Sequence, residues 1–191
     1  APAPAELLER CRDYSIPVYP TYGMTEAASQ ITTASPRQTR GRIGTVGRPL
    51  FGTDVTIVDD GDPVAPGETG ELVVDGPTVT PGYLDDDRTT AAFGEHGLHT
   101  GDLGYRDDQG RLWVVGRLDD AVVTGGENVH PAEVADVIRS HPDVEEAAVV
   151  GLADPEWGER VAALVVGGAD LADVEAHCRE RLAGVKVPKT G

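Results

Sequence analysis

The sequence predicts a mixed α/β (α+β) protein: a mostly-β part over residues 1–118, then a small α/β part over residues 119–191. Three observations carry this. Up to Leu118, apolar runs such as "VTIVDDGDPVAPGETGELVVDG" and "GLHTGDLGYRDDQGRLWVVG" are broken by Gly, Pro and Asp, which marks strands and turns. After "GRLDD" the pattern changes to short apolar strands alternating with helix-start signals. Hydrophobic residues make up 39% of the chain, enough for a core, so a disordered chain is excluded.

Taken in order, "AELLERCRDY" is an amphipathic helix with Leu7, Leu8 and Cys11 on one side. "IPVYPT" reads as a short buried strand. "VTIVDDGDPVAPGETGELVVDG" reads as two strands joined by a Gly/Pro turn. "GLHTGDLGYRDDQGRLWVVG" reads as a hairpin whose turn is Asp107-Asp108-Gln109-Gly110. "AVVT" is a short strand leading into the loop "GGENVH". Pro131 suits the first turn of a helix running to about Ser140. "VEEAAVV" and "RVAALVV" are apolar strands. Asp170 caps a last helix from Leu171 to about Ala183.

Charge is the strongest bulk feature. The net charge is −17, from 33 acidic and 16 basic residues, and only Lys186 and Lys189 are lysines. Such a balance argues against a nucleic-acid surface. It suits a solvated acidic face. The scarcity of lysine suits a salt-rich cytosol, where screening over a few ångström removes self-repulsion. Cys11 and Cys178 lie in unrelated contexts without metal-ligand spacing, so a reduced, cytoplasmic protein is expected. No apolar run is long enough to span a membrane, and no signal peptide is visible. His96 and His99 in "HGLH" lack a third ligand nearby and read as a hairpin loop. Oligomeric state is not legible.

"VYPTYGMTEAASQITT" places Tyr22, Thr25, Glu26, Ser29 and Gln30 together at a strand end, without the period of a surface helix. "YGMTE" (22–26), "TGD" (100–102), "GRLDD" and "GGENVHPAEV" follow in one order along the chain. This ordered set resembles the adenylate-forming superfamily of acyl-CoA ligases, luciferases and peptide-synthetase adenylation domains. The resemblance implies a ligase that joins an acid to AMP using ATP and Mg²⁺, then passes the acyl group to a thiol, usually of CoA. Thr25 is then a hydroxyl donor to the α-phosphate and Glu26 the Mg²⁺ ligand, a hard cation preferring carboxylate oxygen. Tyr22 would offer an aromatic face to adenine, and Gly23 would let the backbone come close. Asp102 would accept from both ribose hydroxyls, and Arg117 would hold the nucleotide. Asp119 falls at the family's hinge, and Gly125 and Gly126 lie on the loop that shapes its thiol channel.

In "SQITT", Ser29-Gln30 stands where many acyl-CoA ligases carry Gly-Pro. That variant is similar to the o-succinylbenzoate–CoA ligases of menaquinone biosynthesis, whose substrate has a second carboxylate and a ketone for an amide and a hydroxyl to meet. The two side chains equally suit the satisfaction of local backbone groups. A fatty or aryl acyl-CoA ligase and a nucleotide-binding module without turnover are the alternatives. The family's Gly/Ser/Thr-rich phosphate loop with its Lys is not in these 191 residues. "RLAGVKVP" resembles the segment before the family's last motif, while "PKTG" matches its Gly-Lys only superficially. The implied picture is the distal part of a large adenylation domain plus most of a small mobile domain, inactive by itself.

Overall fold

In a computed structural model that describes residue 3 and residues 5–188, the chain divides after Leu118 into two compact units. The "PKTG" residues 189–191 lie outside the described residues.

The first unit opens with α1 (Ala5–Asp13). Arg10 and Arg12 occupy its last turn, where the helix dipole favours cations. β1 (Thr21–Tyr22) pairs antiparallel with β2 (Thr32–Thr33), and α2 (Pro36–Thr39) follows. Then come β3 (Asp54–Asp59), β4 (Asp62–Pro63), β5 (Gly70–Asp75), α3 (Asp86–Ala92), β6 (Phe93–Gly94), β7 (Gly97–Arg106) and β8 (Leu112–Arg117). They form an antiparallel sheet in the order β4-β3-β5-β7-β6, with β8 also on β7. Ile57, Leu72, Val74 and Leu112 are buried beneath it together with Tyr22, Ala27 and Ile31 from the β1–β2 connection. Each fully buried Leu or Ile contributes about 1.5–3 kcal/mol, so the core itself anchors the loop between β1 and β2.

The structure departs from the sequence reading in this unit. "IPVYPT" forms no strand before Thr21, and Ile16, Val18 and Tyr19 are exposed. Pro17 and Pro20 lack the N–H that a ladder needs. The Asp-rich stretch after Leu84 had suggested nothing, yet Asp85 caps α3 by accepting the N–H groups of Asp87 (2.9 Å) and Arg88 (3.1 Å).

The second unit contains β9 (Val122–Thr124), β10 (Glu127–Val129), α4 (Pro131–Arg139), β11 (Val144–Asp154), β12 (Gly158–Gly167) and α5 (Leu171–Arg179). Its antiparallel sheet runs β10-β9-β12-β11. Val134 and Ile138 of α4 and Val174 and Cys178 of α5, each pair four residues apart, bury against Val122, Val129 and Val161. Pro131 opens α4, and the Asp170 carboxylate accepts Ala172 N–H at 2.8 Å at the start of α5. α5 is shorter than the sequence suggests, ending at Arg179. "GGENVH" is not all loop. Gly125 and Gly126 make the two-residue turn between β9 and β10, with φ of 59° and 84° and Thr124 opposite Glu127. Positive φ at both positions is the type I′ hairpin geometry.

Candidate active site

β7 is where the ladders of the first unit break. Glu71 pairs with Leu103 and Val73 with His99, so Leu72 alone faces three residues, Thr100, Gly101 and Asp102. Such a bulge re-aims side chains and leaves backbone groups to be met otherwise. Here side chains meet them. The Thr100 hydroxyl donates to Leu72 O at 2.7 Å, Gly101 N–H donates to a Glu71 carboxylate oxygen at 2.9 Å, and Asp102 N–H donates to Thr100 Oγ1 at 3.0 Å. The other Glu71 oxygen is 2.7 Å from His99 Nδ1. Gly101 sits at φ 69°, in the left-handed region that glycine enters without a Cβ clash.

The bulge presents Asp102 to two partners. Tyr22 Oη donates to Oδ2 at 2.8 Å, and Arg117 Nη1 donates to Oδ1 at 3.1 Å. Asp102 and Arg117 are directly opposed across β7 and β8, the closest relation a sheet allows between side chains. Burial, and the Asp102 carboxylate next to it, push the Tyr22 hydroxyl well above its ordinary value, though Thr100 pulls the other way. Tyr22 therefore stays a donor at neutral pH. Among the described residues each carboxylate oxygen accepts one bond and keeps a second lone pair for a ligand hydroxyl.

Tyr22 is 8% exposed and a member of the core. The ring is packed in the core rather than presented as an open face, and its hydroxyl, bonded to Asp102, is its link to the site. Gly23 also has a nearer reason than ligand approach. A Cβ there would lie 1.6 Å from Ser29 O, so the loop closes on the glycine itself.

After Gly23 the chain makes a 3-10 turn at Thr25–Ala27 and passes through Ala28 (φ 50°) and Ser29 (φ 88°). Positive φ at two non-glycine residues is strain of about 1–3 kcal/mol each, held by bonds from Ala28 N–H to Thr25 O and from Ser29 N–H to Met24 O. Thr25 is exposed, and its hydroxyl has no hydrogen-bond partner among the described residues. The exposed side chains of Ser29 and Gln30 likewise make no hydrogen bond among the described residues, so local backbone satisfaction does not account for them.

Glu26 is half-buried. Its Oε1 accepts from Tyr83 Oη at 3.0 Å, and among the described residues Oε2 accepts no hydrogen bond. That open carboxylate oxygen fits a hard cation such as Mg²⁺. Tyr83, in "TPGYLDDDR", was not legible as a site residue, because the contact with Glu26 spans 57 positions. Asp119 is exposed and begins the second unit, just beyond β8. Gly125 lies on the second unit against Trp157, where a Cβ would come within 2.6 Å of the indole. His99 is absorbed by Glu71, and among the described residues no cluster of three or more His, Cys, Asp or Glu could hold a metal.

Known proteins resemble this chain in sequence and fold. Residues 1–84 match the family described as AMP-binding enzyme, and residues 133–190 match the AMP-binding enzyme C-terminal domain. The 2-succinylbenzoate–CoA ligase of Geobacillus kaustophilus is 50% identical over 98% of this chain and 39% of that protein. The o-succinylbenzoate CoA synthetase of Bacillus subtilis, solved with the acyl-adenylate intermediate, superposes with a TM-score of 0.89 at 42% identity, over 98% of this chain and 40% of that one. The same protein solved with ATP and magnesium gives a TM-score of 0.87 at 43% identity, over the same shares of the two chains. The chain thus spans about 40% of the length of the relatives it matches. No helix of the described residues is long and apolar enough to cross a membrane.

Proposed function

The chain belongs to the AMP-binding, adenylate-forming enzymes, and on that premise we propose that it is part of an AMP-forming acid–CoA ligase acting on o-succinylbenzoate. In the first half-reaction the acid carboxylate attacks the α-phosphorus of ATP, and the bond to pyrophosphate breaks. In the second, the thiolate of CoA attacks the acyl carbon and AMP leaves. The observation that carries the reading is the Tyr22–Asp102–Arg117 network at the β7 bulge, with Thr25 and Glu26 on the loop that Tyr22 opens.

Asp102 accepts the ribose hydroxyls on its remaining lone pairs, and Arg117 holds both that carboxylate and the nucleotide. Thr25 offers its hydroxyl to an α-phosphate oxygen, where negative charge accumulates and a fixed donor has most effect. Glu26 would hold Mg²⁺ through Oε2. When bound, Mg²⁺ neutralises charge on the phosphate oxygens. Ser29 and Gln30 meet the ketone and second carboxylate of the acid; their open polar ends support this role. Asp119 is the hinge on which the small unit turns between half-reactions. Gly125 and Gly126 flank the thiol's path. The net charge of −17 with two lysines supports a salt-adapted cytoplasm.

The test uses the full-length enzyme that carries this chain, supplied with ATP, Mg²⁺, CoA and a panel of acids. Pyrophosphate exchange and thioester formation are expected to be fastest with o-succinylbenzoate, and Gln30→Ala to lower that preference about tenfold, as loss of a polar contact does. Faster turnover of a fatty or aryl acid would replace the substrate assignment. The 191 residues by themselves are expected to give no exchange above a no-enzyme control.

A further inference from the structure

We propose that Tyr83 is a positioning residue for the adenylation step: its phenol occupies Oε1 of Glu26 and so presents Oε2, in one orientation, to the Mg²⁺ of the ATP complex. This rests on the reading of Glu26 as the metal ligand.

The argument begins with what an unassisted glutamate does. A half-buried Glu on a short turn has three side-chain torsions and two equivalent oxygens, so many orientations compete with the one that ligates. In this structure one segment, residues 80–89, removes that freedom. Thr80 N–H donates to the main-chain oxygen of Glu26 at 2.7 Å, which ties the segment to the turn. Three residues on, Tyr83 Oη donates to Glu26 Oε1 at 3.0 Å. One stretch of chain therefore grips the backbone and the carboxylate of the same residue.

The segment is itself held at several points. Tyr83 N–H donates to Thr89 Oγ1 at 2.8 Å. Thr80 Oγ1 donates to Gly82 O at 2.9 Å. A Cβ at Gly82 would come within 2.8 Å of the Thr89 methyl, so only glycine lets Tyr83 approach α3 this closely. Asp85 caps α3 and fixes where Thr89 and Arg88 stand. The Arg88 guanidinium lies 4.1 Å from the centre of the Tyr83 ring. A cation over a phenol ring is attracted to its face and draws electron density from it, which strengthens the O–H as a donor. With one lone pair of Oε1 engaged by the phenol, Oε2 is the oxygen that keeps both lone pairs open to a cation among the described residues. That suits Mg²⁺, which keeps several waters and takes one or two carboxylate oxygens in strict octahedral geometry.

A purely structural Tyr83 would brace the loop and affect stability alone. The discriminating readout is therefore the Mg²⁺ dependence of pyrophosphate exchange in the full-length enzyme, with melting of the 191-residue chain as the folding check. Tyr83→Phe removes one oxygen. It is expected to raise the Mg²⁺ concentration for half-maximal exchange by about tenfold, the scale of a lost charge-assisted hydrogen bond, with KM for the acid within twofold. Thr89→Val keeps the phenol and removes its brace, and should shift the Mg²⁺ dependence the same way by about threefold. In a Glu26→Gln background, Tyr83→Phe should add less than twofold, because the partner is already altered. If Glu26→Gln disturbs the Mg²⁺ dependence while Tyr83→Phe does not, or if the two effects multiply, Tyr83 is overturned and Glu26 stands. A normal Mg²⁺ dependence in Glu26→Gln would instead overturn the metal-ligand reading itself.

Discussion

The two units use antiparallel sheets to opposite ends. In the second, β11 and β12 run as a long hairpin of ten paired positions, with one register shift at its start, between Val144 and Glu146. Ala147, Val149, Ala163 and Val165 pack with the helices, while Val150, Leu164 and Val166 are exposed. In the first, β7 breaks register with β5 between Glu71 and Val73 and with β8 between Leu103 and Gly104. The polar groups left over at those breaks are bonded to Glu71, Thr100, Tyr22 and Arg117. A regular ladder satisfies its own backbone and leaves side chains to packing. A broken ladder needs side chains to complete it, and those side chains form a fixed polar site. Charge also differs. The first unit carries 18 acidic and 10 basic residues, the second 15 and 6, giving −8 over 118 residues and −9 over 73.

The largest expected effect tests the polar bulge. Asp102→Ala in the full-length enzyme removes charge-assisted hydrogen bonds worth ~1.5–3 kcal/mol each, and ATP use should fall about 10²-fold. Unfolding followed by Trp113 in the first unit should move to lower denaturant, while Trp157 in the second reports no change. A KM for ATP within threefold of the parent would remove Asp102 from the nucleotide site.

Next in size is the junction. Asp119→Pro fixes φ near −65° at the first residue of the second unit. If Asp119 is the hinge proposed above, single-turnover pyrophosphate release should persist, while steady-state thioester formation, the half that would need the movement, falls about tenfold or more. Equal loss in both halves would make Asp119 structural.

A smaller effect should come from salt. The Debye length shrinks from ~30 Å at 0.01 M to ~3 Å at 1 M. Melting temperatures from 0.05 to 3 M KCl should therefore rise for both units, and more for the second, with its denser negative charge. Sulfate in place of chloride separates screening from stronger apolar burial. A flat profile in chloride would end the salt-adapted reading.

The smallest concerns acid. In the second unit, burial holds His130 and His177 below the ordinary value of 6.5, assisted at His177 by Arg181, and at His130 opposed by Glu133 but assisted by Lys186. The unfolded chain then binds protons before the folded unit does. Stability present above pH 6.5 is lost as the pH falls through the depressed folded values. In the first unit, burial works against the Asp107 carboxylate, but the Arg111 N–H and guanidinium and the Gln109 N–H outweigh it and hold it below 3.8. Its contribution persists until the pH falls beneath that value. Urea unfolding at pH 7.5 and 5.5 should thus weaken the Trp157 transition and spare that of Trp113; the reverse order would contradict the assignment.

How much was legible follows the same division. Helix α4, the β11 and β12 strands and the Asp170 cap could be read because 3.6- and 2-residue periods and caps are local. "IPVYPT" misled because composition outweighed two prolines whose missing donors decide the matter. Gly125-Gly126 was read as a loop feature before its hairpin turn was visible. α3 went unread because its apolar face is slight, with no buried residue.

The sequence by itself determined the kinds of groups available. Its ordered motifs named Thr25, Glu26, Asp102 and Arg117, and its composition set the charge. Only the tertiary structure decided how those groups are held. Tyr22 reaches Asp102 across 80 positions and Tyr83 reaches Glu26 across 57. Gly23 is required because Ser29 O closes on it, and Leu72 faces three residues because a ladder slipped. The physical reason is that motif spacing records neighbours along the chain. A hydrogen bond between distant segments depends on strand register, and one added residue in a ladder turns a side chain to the other face.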